Sequence, residues 1–134
     1  MQLQRFICSL LLICAATTAT AQRNRPAEAP GGDDAHQRVY QLAKQYGDYT
    51  VAIQALYYRL AANPDNVALK DSLAMLYLQS SAYPQAVLVG QEVLKAQPQN
   101  ERMMKVMAVS FSNLGMYKQS LEQYEALYKQ TRQP

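Results

Sequence analysis

From Tyr117 to Gln130 the apolar and small residues fall at Tyr117, Ser120, Leu121, Tyr124, Leu127 and Tyr128. Steps of three and four keep such residues on one face of a helix. Tyr83, Ala86, Val87, Gly90, Val93 and Leu94 repeat the pattern, and so do Tyr49, Ala52, Ile53, Leu56 and Leu60. Two further helical faces lie between them, at Leu69, Leu73, Leu76 and Tyr77 and at Met103, Met104, Met107, Phe111 and Leu114. Breakers separate the segments at Tyr46-Gly47-Asp48, Asn63-Pro64-Asp65, Gln97-Pro98-Gln99-Asn100 and Asn113-Leu114-Gly115. Pro84 suits the first turn of a helix, where its missing N–H costs nothing. The pattern predicts helices in pairs joined by short turns.

The pairs recur every 34 residues. At that shift Tyr49, Tyr83 and Tyr117 align, as do Ala52, Ala86 and Ser120, all small, and Gly47, Ser81 and Gly115 just before the tyrosines. Leu73 aligns with Met107, Ala74 with Ala108, Tyr77 with Phe111 and Pro64 with Pro98. The units are 33–66, 67–100 and 101–134. Ala74 and Ala86, then Ala108 and Ser120, let the helices of a pair approach closely, while Tyr77 and Phe111 fill the seam towards a neighbour. No such unit buries its apolar face alone; stacking buries it.

Period, small residues, aromatics and closing prolines together resemble the tetratricopeptide repeat family over 33–134. The resemblance implies an all-α solenoid of three antiparallel helix pairs, a right-handed superhelix whose first helices line a concave groove for a peptide or protein partner. Carried over position by position, the groove is expected to show Gln37, Gln41, Lys44 and Gln45, then Asp71, Met75 and Gln79, then Arg102, Lys105, Val109 and Ser112. One well-known subset of the family grips a C-terminal carboxylate with Lys, Asn and Arg. Here Gln37, Gln41 and Ser72 stand at the Lys and Asn places and Val106 at a basic one, and only Arg102 matches, so carboxylate clamping is not expected. The chain departs from the pattern at Tyr40, a small-residue position, which predicts a loose or shifted first helix. Gly90, inside a helix, costs about 1 kcal/mol against Ala and signals either close helix contact or drift.

The N-terminus is of another kind. Arg5, the apolar run FICSLLLICAA, polar TTAT and Ala19-Thr20-Ala21 predict a secretory signal peptide over 1–21. The run is too short for a permanent membrane span. Export to a bacterial periplasm or cell envelope is the expected destination. A lipoprotein box at Cys14 is disfavoured, because Ile13 stands where a small residue belongs. Both cysteines, Cys8 and Cys14, lie in the signal, so the mature chain is expected to carry no disulfide or thiolate site. Residues 22–32, rich in Pro, Gly and charge, read as a flexible leader.

Charge and chemistry narrow the function. Of 13 basic and 10 acidic residues only Arg5 belongs to the signal, which leaves a mature charge of +2 and no basic run fit for nucleic acid. His36 is the sole histidine and is expected beside the leader, without a converging carboxylate; neither a triad nor a metal site follows, and no cofactor and no enzyme are expected. Arg102 and Lys105 read either as a groove's basic end or as a solvated helix start. Met103, Met104, Met107 and Met116 read as core by their spacing or as an adaptable binding surface. Tyr49, Tyr77, Tyr83 and Tyr117 read as repeat packing, and of adjacent Tyr57 and Tyr58 one should face outward as an interface anchor. Two functions remain: an exported interaction module, a small envelope adaptor, or a self-associating protein whose last repeat leaves Tyr124, Leu127 and Tyr128 partly uncovered.

Overall fold

In the computed structural model the described residues are 32–132. The expected signal peptide, both cysteines and the leader up to its last residue lie outside them. Six helices follow in order: α1 (Gly32–Gln45), α2 (Tyr49–Ala62), α3 (Val67–Gln79), α4 (Tyr83–Ala96), α5 (Glu101–Asn113) and α6 (Tyr117–Thr131). α2 to α6 lie where the periodicity places them, and α1 where the repeat resemblance implies a first helix. α1 starts one residue inside the stretch expected as leader. No helix among the described residues is long and apolar enough to cross a membrane.

The helix ends repeat with the sequence. Asp48, Asn66 and Asn100 each turn a side-chain oxygen onto the backbone N–H three residues ahead, at Val51, Leu69 and Met103. The first helix of each unit closes the same way: Asp48, Ala82 and Met116 donate their N–H groups to the carbonyls of Ala43, Tyr77 and Phe111 at 2.8 Å. That closure needs a left-handed residue, supplied by Gly47 (φ 72°), Gly115 (φ 73°) and, against its preference, Ser81 (φ 60°).

Each first helix packs on its own second helix, and the pairs join in series through α2–α3 and α4–α5. Ala52, Ala74, Ala86 and Ala108 are fully buried. Ser120 replaces the alanine of the third pair and donates its hydroxyl to the Ala108 carbonyl at 2.8 Å, which satisfies it without widening the gap. Gly90 marks a close helix contact rather than drift: a Cβ there would lie 2.6 Å from Met107 Sδ and 3.2 Å from Met103 Sδ.

Tyr40 neither loosens α1 nor shifts its register. It is buried, and so is Ala43. Unit one reads Tyr40 then Ala43 where the others read Ala74 then Tyr77 and Ala108 then Phe111. The large and small residues have exchanged places one turn apart, so the pair α1–α2 still fills. Beyond that pair, α3 and α5 approach with Cα atoms within 8 Å, whereas α1 and α3 do not.

Arg59 of α2 ties this pair from outside. Its Nε donates to Asp33 at 2.6 Å, and Nη1 donates to the Gln37 side chain. The hydrogen bond from Arg59 holds the Asp33 carboxyl below the ordinary 3.8. A lowered folded pKa means the contribution is complete above 3.8 and fades as pH falls through the lower folded value. Asp33→Asn should therefore lower the urea midpoint slightly at neutral pH, Asp33 being exposed, and the two midpoints should converge in strong acid. A gap that persists there would mean that Asp33 acts by packing.

Candidate functional site

The curvature follows from which helices touch. α3 meets α5, whereas the second helices α2, α4 and α6 do not meet one another among the described residues. First helices therefore lie on the inner side and second helices splay on the outer side. The residues expected in the groove sit on the inner helices, but they are not equally free.

Asp71 is buried, with 3% exposed, and its carboxylate forms an ion pair with Arg102. Asn100 Nδ2 donates to the same carboxylate at 3.4 Å while the Asn100 side-chain oxygen caps α5. Two residues expected to meet a partner thus meet each other, and their charges cancel. An exposed guanidinium serving a buried carboxylate is a structural tie between α3 and α5. It corrects both expectations for Arg102, a free basic end and a merely solvated helix start. Gln37 is half-buried and accepts from Arg59. Lys44 is exposed, its ammonium 5.9 Å from the Tyr40 ring centroid.

What is left forms a row. Gln41, Met75 and Val109 occupy the same place in successive units, the first exposed and the others half-buried. Gln79, Lys105 and Ser112 are exposed beside them. Of the four surrogates at carboxylate-clamp places, Ser72 donates to the Ala68 carbonyl at 3.0 Å and Val106 is buried. Met103, Met104 and Met107 are core, while Met116 is exposed. Among the described residues no group of three His, Cys, Asp or Glu side chains could hold a metal ion.

The outer side holds features that sequence reasoning missed. Tyr57, Leu60, Leu73, Leu88 and Val89 line an open cleft of about 460 Å³ between α2 and α4, closed at one edge by the Lys70–Glu92 ion pair at 2.7 Å. The equivalent cleft between α4 and α6 has Glu122 and Gln123 where the first has Leu88 and Val89. Leu88, 65% exposed and off the apolar stripe of α4, was the available signal. Both Tyr57 and Tyr58 face outward. Tyr57 shares a hydroxyl hydrogen bond with Tyr77, whose burial, reinforced by that bond, raises its pKa well above the usual phenol value. Tyr58 stacks on His36 at 4.6 Å, so the single histidine is half-buried against a ring. Tyr117, expected in repeat packing, is instead exposed.

No family model and no curated protein sequence matches the chain. Solved structures do. MamA MSR-1 superposes with a TM-score of 0.68 at 18% identity over 78% of this chain, which spans only 60% of the MamA chain. The second tetratricopeptide domain of Spaghetti (RPAP3), solved with an HSP90 peptide, gives 0.65 at 18% identity over 72% of this chain and 90% of its own. The TPR2B domain of yeast Sti1, solved in complex with pHsp70, gives 0.65 at 14% identity over 74% of this chain and 79% of its own. Six helices in three antiparallel pairs at a 34-residue period, superposing on these domains, have the tetratricopeptide repeat fold.

Proposed function

We propose that the chain is a protein-interaction module, a small exported adaptor, that takes a partner segment along the inner face of α1, α3 and α5. The observation that carries this reading is the row Gln41, Met75 and Val109, one residue per repeat, flanked by the exposed lysines Lys44 and Lys105 and not tied up by other side chains. A regular row of this kind suits an extended chain. Because Arg102 cancels Asp71, the lysines set the sign of the face, and an acidic segment with an apolar side chain for Met75 and Val109 is the complementary partner. The peptide complexes of the two tetratricopeptide neighbours support the mode but not the partner. Export rests on the N-terminal pattern, and N-terminal sequencing of the protein from its host should begin at Gln22.

The test titrates the protein with labelled acidic peptides and compares Lys44→Glu/Lys105→Glu. Arg102 is left intact, since changing it would strand Asp71. The double variant should weaken binding about tenfold at low salt. Binding by none of the peptides, or equal binding by the variant, would count against this face.

A further inference from the structure

The two ends of the repeat array carry matching halves of the junction that the array already uses twice. Val39 and Leu42 of α1 are 43% and 59% exposed, while their counterparts in α3, Leu73 and Leu76, are 2% and 1% exposed beneath the preceding repeat. At the other end Tyr124 of α6 is 45% exposed, whereas its counterparts Leu56 and Gly90 are buried beneath the following repeat. We infer that a second copy of the chain covers these surfaces, its α1 seating on α6 as α5 seats on α4, so that copies stack head to tail.

Two independent complementarities select a second copy as the occupant. The first is volume. At the α4–α5 junction Gly90 receives two long side chains, Met103 and Met107. At the α2–α3 junction the same three places hold Leu56, Leu69 and Leu73. Between copies they would hold Tyr124, Ala35 and Val39, a large residue on the receiving helix facing two small ones. The sizes change on both sides and compensate, as a close-packed seam requires. The second is charge. Inside the chain Asp71 of α3 pairs with Arg102 of the next repeat. One repeat further, the place of Asp71 is taken by Lys105, and the place of Arg102 by Asp34 of the incoming copy. The pair recurs with its signs reversed. It does not recur between the first two repeats, where Gln37 would face Ala68.

Such an interface is heterologous. Each addition leaves one free α1 and one free α6, so growth is open-ended rather than closed at a dimer.

Sedimentation velocity of the purified protein over about a hundredfold concentration range should show a weight-average coefficient that climbs without a dimer plateau. Tyr124→Glu and Val39→Glu, both at exposed positions, should each keep their helical circular dichroism and weaken association by about thirtyfold or more. Mixed together they should form a discrete dimer, because one retains a sound α6 and the other a sound α1. Lys105→Asp and Asp34→Lys should each weaken stacking about threefold, and the pair combined should recover it. A monomer throughout the range would overturn the inference. So would a dimer lost by Tyr124→Glu but untouched by Val39→Glu, which would mark a symmetric α6–α6 contact. Lys105 belongs to both surfaces, so peptide binding on the inner face is read separately through Lys44→Glu in the Val39→Glu background, where copies do not stack.

Discussion

Leu56→Ala should lower the free energy of unfolding by about 2–5 kcal/mol and split a single transition into two. Leu56 is fully buried and holds in α2 the place that Gly90 holds in α4, facing the next repeat. Truncating it removes apolar contact and leaves a cavity in the α2–α3 seam. That seam has no second support, because α1 does not approach α3 as α3 approaches α5. In a stack of repeats, stability is the sum of each unit's own folding and its junctions. Weakening the one junction of the first unit therefore frees that unit before the rest. Hydrogen exchange would show it directly: amides of α1 and α2 should lose protection in the variant while those of α5 keep theirs. A uniform loss across all six helices would mean that the first repeat is not held by this seam alone.

Gly90→Leu should cost about 1–3 kcal/mol or more, by the opposite route. Here there is too little space rather than too much. A Cβ at residue 90 already lies 2.6 Å from Met107 Sδ, so a whole isobutyl group must push α4 and α5 apart. Gly90→Ala separates the two contributions. Alanine gains about 1 kcal/mol of helix propensity over glycine, and the thioether of Met107 can turn aside; near-neutral stability is expected. Met107→Ala placed beside Gly90→Leu should restore much of the loss, giving a coupling well above the scatter of independent sites. Thermal or urea denaturation of the four proteins measures it. No recovery in the double variant would mean that the helix backbones, not these side chains, set the closeness.

Much of the fold was legible because it is written in local terms. Helical spacing, breakers and caps act over a few residues, and here they recur at 34, so each unit corroborates the next. Ser81 shows the strength of the frame: it adopts the left-handed turn that Gly47 and Gly115 take more readily. The alignment also assigned candidate inner-face positions to the first helices. It could not say which of them were free. Asp71, Met75 and Lys105 look alike in a list of inner positions, yet one is buried in an ion pair, one half-buried and one exposed. The state of Asp71 depends on Arg102, 31 residues away, and no periodicity reports it.

The sequence alone determined three helix pairs, their order, their turns and the close approaches at Ala74, Ala86 and Ala108, because steric and hydrogen-bonding preferences between near neighbours suffice for these. Only the tertiary structure decided what those helices leave over. It showed that exchanging Tyr40 and Ala43 preserves the register of α1, that α1 stands off from α3, that Arg102 is spent on Asp71, and that Leu88 lines an outer cleft. Each depends on how distant side chains divide a common space, and that division exists only once the repeats have stacked.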